Sequence, residues 1–297
     1  MRTAVVTGAF SNSGSAVAAE LSRRGWSLRT LTNRTPPPGS IPAHPLRFER
    51  DALLAALQGA DVLVNTYWVR FPFHGVTFDT AIRNIDTLLG AAREAGVSRF
   101  VQISVSNASE DSTLGYYRGK AIVEQRVRES GLSFAILRPT LIVGPKDVLT
   151  NHIAWFLRRF PVFLLPAGDG HRLQPIVLDD LARIVADAVE SRERIERDAA
   201  GPEIVTFGDY VRHVARAIDV RPRFVTASPS VVLTALGAAG LCLGDVVLSR
   251  EELEGLRQDR LVSREPPLGR ESVFAWLDTH AAELGRHYWN DTRTRFR

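Results

Sequence analysis

The sequence of 297 residues predicts an α/β fold, a doubly wound parallel sheet with a smaller, mostly helical C-terminal domain. Three observations predict it. From Thr3 to about Gly144, short β-branched runs alternate with longer segments of helical apolar spacing. Most runs are apolar at successive positions, as strands covered by helices on both faces must be. The first run leads directly through "TGAFSNSG" into a helix pattern, so a glycine-bearing turn precedes a helix N-terminus.

The elements follow in order. "TAVVT" is the first strand and "SAVAAELSRRG" the helix after it; "SLRTLT" is the second strand. "TPPPGSIPAHP" can be neither helix nor central strand, because proline lacks an amide proton and has a fixed φ, so it is expected to be a surface loop. "PLRF", "DVLVNTYW", "RFVQISVS" and "SFAILRPTLIVG" are expected as the third to sixth strands, the last read as one continuous run. Beyond Pro145 the rhythm breaks into "NHIAWFLRRFPVFLLPAGDGHRLQP", a further helix pattern starts at Asp179, and the final third is mostly helical. The sheet domain is expected over residues 1–150, joined by about 172–200, and the second domain over 151–171 and 201–297.

Composition narrows the function classes. The chain is 45% hydrophobic and 24% charged, enough to bury a substantial core. Its net charge of +4 is spread along the chain, with only a short cluster, "RTRFR", at the end, so no nucleic-acid footprint is expected. The single cysteine, Cys242, excludes an internal disulfide, and no basic-then-apolar leader opens the sequence; a cytoplasmic location is expected. "VVLTALGAAGLCLG" falls short of the roughly twenty residues that span a bilayer. It is expected to be a buried helix with Cys242 packed inside, interfacial membrane contact being the second reading.

Gly8, Ser11 and Gly14 are spaced three apart between strand and helix, where glycines let a backbone approach a dinucleotide pyrophosphate at the positive end of a helix. Serine at the middle position departs from that pattern. The end of the second strand, "TLTNR", lacks the carboxylate that would bind the adenosine ribose of NAD and offers Arg34 to a 2′-phosphate. NADP is therefore expected ahead of NAD, with a solvated surface arginine as the alternative for Arg34.

The catalytic candidates follow the fifth strand. Tyr116 and Lys120 are four apart and share one face of a helix. An ammonium there stabilises the phenolate and can hold the nicotinamide ribose, making the tyrosine a proton donor or acceptor at a carbonyl or carbinol oxygen. Lysine is rare in this chain, occurring only at 120 and 146, while arginine is the usual cation. Tyr117 competes with Tyr116. Ser106, with Ser104 as the alternative, leaves the sheet where it can hydrogen-bond the same oxygen. Asp179 and Asp180 read first as helix-start residues that complement the helix dipole. His74, His152 and His171 lack metal-ligand spacing, and no metal site is expected. Trp68 and Arg70 either line a substrate pocket or pack.

Together "TGAFSNSG", "NTYWVRF", "QISVSNASEDS", "YYRGKA", "LRPTLIVGP" and "GDVVLSREEL" resemble the short-chain dehydrogenase/reductase superfamily. The likeness is closest to the atypical branch that holds the Rossmann-type accessory subunit of respiratory complex I and bacterial relatives labelled NAD-dependent epimerase/dehydratase. The resemblance implies a Rossmann cofactor domain, a C-terminal substrate domain and NADP across the carboxyl ends of the strands. Gly8, Phe10, Ser11, Ser13 and Gly14 match the phosphate loop, and Arg34 the 2′-phosphate position. Asn65, Thr66 and Tyr67 match the segment flanking ribose and nicotinamide, Pro139 and Thr140 the strand end beside the nicotinamide, and Ser106, Tyr116 and Lys120 the catalytic positions. Arg47 stands near where many relatives carry an adenine-binding aspartate.

The implied function is NADP-dependent oxidoreduction of a small carbonyl or alcohol substrate, and the apolar run from Val231 points to a hydrophobic substrate or partner. Epimerase or dehydratase chemistry would use the same residues. The alternative from another class is a non-catalytic NADP(H)-binding module that senses redox state or holds an assembly together. The sequence encodes neither the substrate nor the oligomeric state.

Overall fold

The computed structural model describes residues 2–167 and 170–295. Phe296 and Arg297 of the basic tail cluster lie outside them. In chain order the elements are β1 (Thr3–Thr7), α1 (Asn12–Arg23), β2 (Ser27–Leu31), β3 (Ala43–His44), α2 (Arg50–Leu57), β4 (Val62–Asn65), α3 (Phe78–Glu94), β5 (Arg99–Ile103), α4 (Gly115–Glu129) and β6 (Ser133–Pro139). Then come β7 (Leu141–Val143), α5 (Val148–Arg159), β8 (Val162–Pro166), β9 (Arg172–Leu173), β10 (Pro175–Val177), α6 (Leu178–Glu190) and β11 (Ile195–Ala199). The last are β12 (Val205–Thr206), α7 (Phe207–Ala217), β13 (Arg223–Ala227), α8 (Pro229–Leu243), α9 (Arg250–Arg257), α10 (Val273–His280) and α11 (Asp291–Arg295). They form two compact units, one of Met1–Pro139 with Leu178–Ala199, the other of Thr140–Val177 with Ala200–Arg297.

The first unit is a doubly wound α/β layer structure. Its seven-stranded sheet runs β11-β6-β5-β4-β1-β2-β3, and every pairing is parallel. β4 and β5 are buried at every residue, which is why they read as apolar runs without alternation. Leu53, Leu57, Leu63, Ile85, Leu88, Phe100 and Ile136 fill the core between the sheet and its helices. The chain winds from β1 to β2 and β3 in one direction and from β4 to β6 in the other. The crevice outside the carboxyl ends of β1 and β4 is thus the switch point at which ligands bind in such sheets.

Two strand assignments need correction. "PLRF" forms no strand; the third strand is the two-residue edge strand β3, ahead of Pro45, which has no amide to donate to the ladder. "SFAILRPTLIVG" is two strands, since β6 pairs in the large sheet and β7 pairs with β10.

In the second unit, β7 and β10 pair parallel, β9 and β12 antiparallel, and β8 and β13 parallel. Its own core joins Ile153 and Leu157 of α5, Tyr210, Val211 and Val214 of α7, and Trp276 and Leu277 of α10. Asp147 caps α5 by accepting from the Thr150 amide at 2.7 Å, and Thr206 caps α7 through the Asp209 amide. The expectation of a buried apolar helix fails for α8: only Val232 and Gly240 are buried, and Cys242 is exposed. An uncharged sequence signals helix here, but burial depends on what the fold stacks against it. Among the described residues no helix is long and apolar enough to cross a membrane.

Candidate active site

The turn after β1 is built as a cradle. Gly8 takes φ of 67°, a conformation costly for any residue with a Cβ, and its amide donates to the Leu31 carbonyl at 2.7 Å. The Ser11 amide donates to the Gly8 carbonyl at 2.8 Å, folding the turn onto the start of α1. A Cβ on Gly14 would lie 2.1 Å from the Gly8 carbonyl oxygen, so only glycine fits. Ser11, the departure from the glycine pattern, has an extended backbone that needs no glycine, and its hydroxyl accepts from the Gly14 amide at 3.1 Å as the cap of α1. The amides of Asn12 and Ser13, in the first turn, have no preceding helical carbonyl and present the positive end of the helix. A pyrophosphate fits this donor set.

Arg34, just beyond β2, donates to the Phe10 carbonyl at 2.9 Å and is half-buried beside the loop. It therefore braces the turn after β1 and brings a cation to it. Arg47 is exposed.

At the end of β4 the side chains serve the sheet itself. Thr7 donates to Asn65 at 3.0 Å, Asn65 to Gln102 at 2.9 Å and Gln102 to the Ile103 carbonyl at 2.7 Å, a buried polar ladder crossing three strands. Both ends of the Asn65 amide are used there. Thr66 donates to the Thr7 carbonyl, and its Oγ1 lies 3.5 Å from where a Cβ on Gly8 would stand, so the ends of β1 and β4 meet. The Tyr67 hydroxyl accepts from Asn84 at 2.8 Å and its ring packs on Phe48; burial pushes its phenol up from the ordinary value. Pro139 closes β6, with its carbonyl accepting from the Ser106 amide at 3.0 Å. Thr140 belongs to the second unit, where its hydroxyl donates to the Gln174 carbonyl.

The structure separates the serine and tyrosine candidates. Ser104 is buried and donates to Glu124 at 2.6 Å, while Ser106 is fully buried after β5. Tyr117 is buried among Val105 and Leu114, whereas Tyr116 is half-buried with its ring edge-on to Trp68 and Phe78. Lys120, only 3% exposed, donates from Nζ to the Ile103 carbonyl at 2.8 Å and lies 4.8 Å from the Trp68 ring centroid. Gly119 is what lets Trp68 lie on α4, since a Cβ there would stand 3.0 Å from two indole carbons. Trp68 also stacks on Phe78, and its buried Nε1 has no hydrogen-bond partner among the described residues. Arg70 lies with its guanidinium 5.2 Å from the Phe71 ring.

Sequence reasoning missed the ion cluster behind Ser104. Glu124, 3% exposed, accepts from Arg138 at 2.6 Å and from Arg128 at 3.0 Å, and both arginines also hold Glu196 of β11 at 2.7 Å. Hydrogen bonds from Arg128 lead in holding the Glu196 carboxyl down to about 2. Burial opposes the Arg138 charge, but the two carboxylates outweigh it and raise its pKa. Only the four-residue spacing of Glu124 and Arg128 was visible in the sequence; Arg138 and Glu196 arrive from distant strands.

A glycine-lined helix N-terminus at the switch point of a doubly wound sheet defines a dinucleotide-binding α/β protein. Residues 8–153 match the family described as NAD(P)H-binding. It is 29% identical over 172 residues to NADH dehydrogenase (ubiquinone) 1 alpha subcomplex subunit 9, mitochondrial, of Rattus norvegicus, covering 56% of this chain and 45% of that protein. The chain thus spans about half the length of the complex I subunits it matches. It is 27% identical over 256 residues to ceramide reductase of Caulobacter vibrioides, covering 77% of this chain and 75% of the relative. The NADPH-dependent quinone oxidoreductase of Escherichia coli, solved with NADPH, shares the fold at a TM-score of 0.72 and 19% identity, covering 95% of this chain and 99% of the other.

Proposed function

We propose that the chain is an NADP(H)-dependent oxidoreductase acting on a carbonyl or alcohol carbon of a small, apolar substrate through Ser106, Tyr116 and Lys120. The observation that carries it is Lys120, the rarer cation of this chain, buried one helical turn from Tyr116 and tied to the end of β5. Asn12, Ser13 and Gly14 at the start of α1 would hold the pyrophosphate, Arg34 would pair with a 2′-phosphate, and Thr66 and Pro139 would flank the nicotinamide end. NADP(H), when bound, supplies or accepts the hydride. In the reducing direction Tyr116 gives its proton to the substrate oxygen as the carbonyl carbon gains hydride, yielding the alcohol. Lys120 stabilises the phenolate left behind. Ser106 donates a hydrogen bond to the same oxygen. Epimerase or dehydratase chemistry would return the hydride within one turnover using the same groups.

The likeness to complex I subunits favours a second reading, an NADP(H)-binding module that holds an assembly together without turnover. Fluorescence titration with NADPH and NADH, followed by absorbance assays over a carbonyl panel that includes quinones and long-chain ketones, separates the two. Tighter binding of NADPH, with turnover lost in Tyr116→Phe, is the expected result. Binding with no turnover and no effect of Tyr116→Phe across the panel supports the module; absence of nucleotide binding overturns both.

A further inference from the structure

Residues 224–244 contain no Asp, Glu, Lys, Arg or His, and most of that stretch forms α8. Val232 and Gly240 turn inward on this helix, which packs along β8. Val231, Thr234, Ala235, Ala238, Leu241 and Cys242 share the opposite face at helical spacing and are all exposed, Val231 by 51% and Leu241 by 87%. A helix that is apolar all round and yet uncovered marks an interaction surface.

Two further observations indicate what covers it. The surroundings at the helix C-terminus are cationic and aromatic. The exposed Arg293 brings its guanidinium to about 3.9 Å from the Cβ position of Gly244. Asn290 holds the Leu243 and Gly244 carbonyls at the helix end, beside Trp289, which is 38% exposed. Asp245, the nearest acid in sequence, is turned inward and takes hydrogen bonds from Tyr288 and Thr292, so it offers no charge outward. The area is also small. A helix of 15 residues is about 22 Å long and presents a stripe of roughly 220 Å², far below the ~800 Å² per partner of a stable protein interface. A bilayer surface demands neither that area nor shape complementarity, and the helix is too short to span one.

We propose that α8 is an interfacial anchor whose outer face lies on an anionic lipid surface, with Arg293 meeting the headgroup phosphates and Trp289 at their level. Cys242, the only cysteine, is a natural reporter on that face. The full chain labelled there with an environment-sensitive fluorophore is mixed with phosphatidylcholine vesicles containing phosphatidylglycerol, and unlabelled protein is sedimented with the same vesicles. A blue shift and co-sedimentation are expected, both weakened by added salt and by vesicles of phosphatidylcholine alone. Leu241→Glu lowers the vesicle partition about tenfold, and the milder Leu241→Ser lowers it less, with thermal melting unchanged in both. Equal sedimentation with and without vesicles overturns the proposal. So does a blue shift that grows with protein concentration without vesicles while light scattering shows a doubled mass, which would assign the face to a second copy.

Discussion

Gly14→Ala tests the cradle most directly. The added Cβ would stand 2.1 Å from the Gly8 carbonyl oxygen and 2.8 Å from its carbonyl carbon. Contacts below about 3.0 Å do not persist, so the turn must open by about 0.9 Å, and both clashing atoms are backbone. Gly8 cannot rotate away, since its amide is bonded to β2 and its φ is already positive. Overpacking of this kind costs about 1–3 kcal/mol, partly offset by the ~1 kcal/mol that alanine gains over glycine in a helix. The net loss of ~0–2 kcal/mol leaves the protein folded. Nucleotide binding suffers more, because the displaced amides of α1 make charge-assisted hydrogen bonds worth about 1.5–3 kcal/mol. A NADPH Kd raised roughly 10- to 100-fold is expected by fluorescence titration, alongside a small change in melting temperature. Gly90→Ala is the internal control: this exposed glycine lies within α3 with nothing within 4 Å of its Cβ position, so it should stabilise slightly and leave the Kd unchanged. A Gly14→Ala protein binding NADPH within twofold of the original would refute the reading of this turn as the pyrophosphate site.

Three other perturbations have defined outcomes. Arg34→Glu removes the brace on the Phe10 carbonyl and so weakens both nucleotides, but it should weaken NADPH at least tenfold more than NADH, because it places a carboxylate beside the proposed 2′-phosphate position; equal losses for both nucleotides would show that Arg34 acts only as the brace. Burial pushes the Asp147 carboxyl up from 3.8 to about 6, so its ionised form costs nothing in folding below pH ~4, and the cost is complete above about pH 6. Asp147→Asn keeps a capping side chain and should be the more stable protein at pH 8 by about 1–3 kcal/mol, a gap that closes below pH 4 in urea titrations; a pH-independent gap rules out this origin. Glu196 has the opposite sign: its carboxyl is lowered from 4.5 to about 2, so its stabilisation is present above pH 4.5 and is lost as pH falls toward 2. Glu196→Gln should flatten the fall of the urea midpoint between pH 4.5 and 2, and an unaltered slope would place acid sensitivity elsewhere.

What the sequence made legible was whatever a local pattern encodes. β1, β4 and β5 are evident because burial on both faces leaves no polar alternation, and the phosphate turn because positive φ and a missing Cβ demand glycine. The switch from β6 to β7 was hidden, since a single residue, Thr140, separates two strands that pair in different sheets and carries no turn signal. Ser11 looked like a flaw in the glycine pattern because its capping role depends on the Gly14 amide three residues on. Asn65 sits at the strand end that the resemblance implies, but its commitment to Thr7 and Gln102 depends on strands 58 and 37 residues away. The exposure of α8 is equally nonlocal: composition fixes that the helix is apolar, and only tertiary placement decides that half of it stays uncovered.

Trp68 ties these levels together. Its indole rests on Gly119, stacks on Phe78, meets Tyr116 edge-on and lies under the Lys120 ammonium, so one side chain from the loop after β4 fixes the helix that carries both candidate groups. The alternatives of pocket lining and packing are not exclusive here. Packing on α4 sets where Tyr116 and Lys120 stand, and the buried indole Nε1, without an acceptor among the described residues, lies beside them.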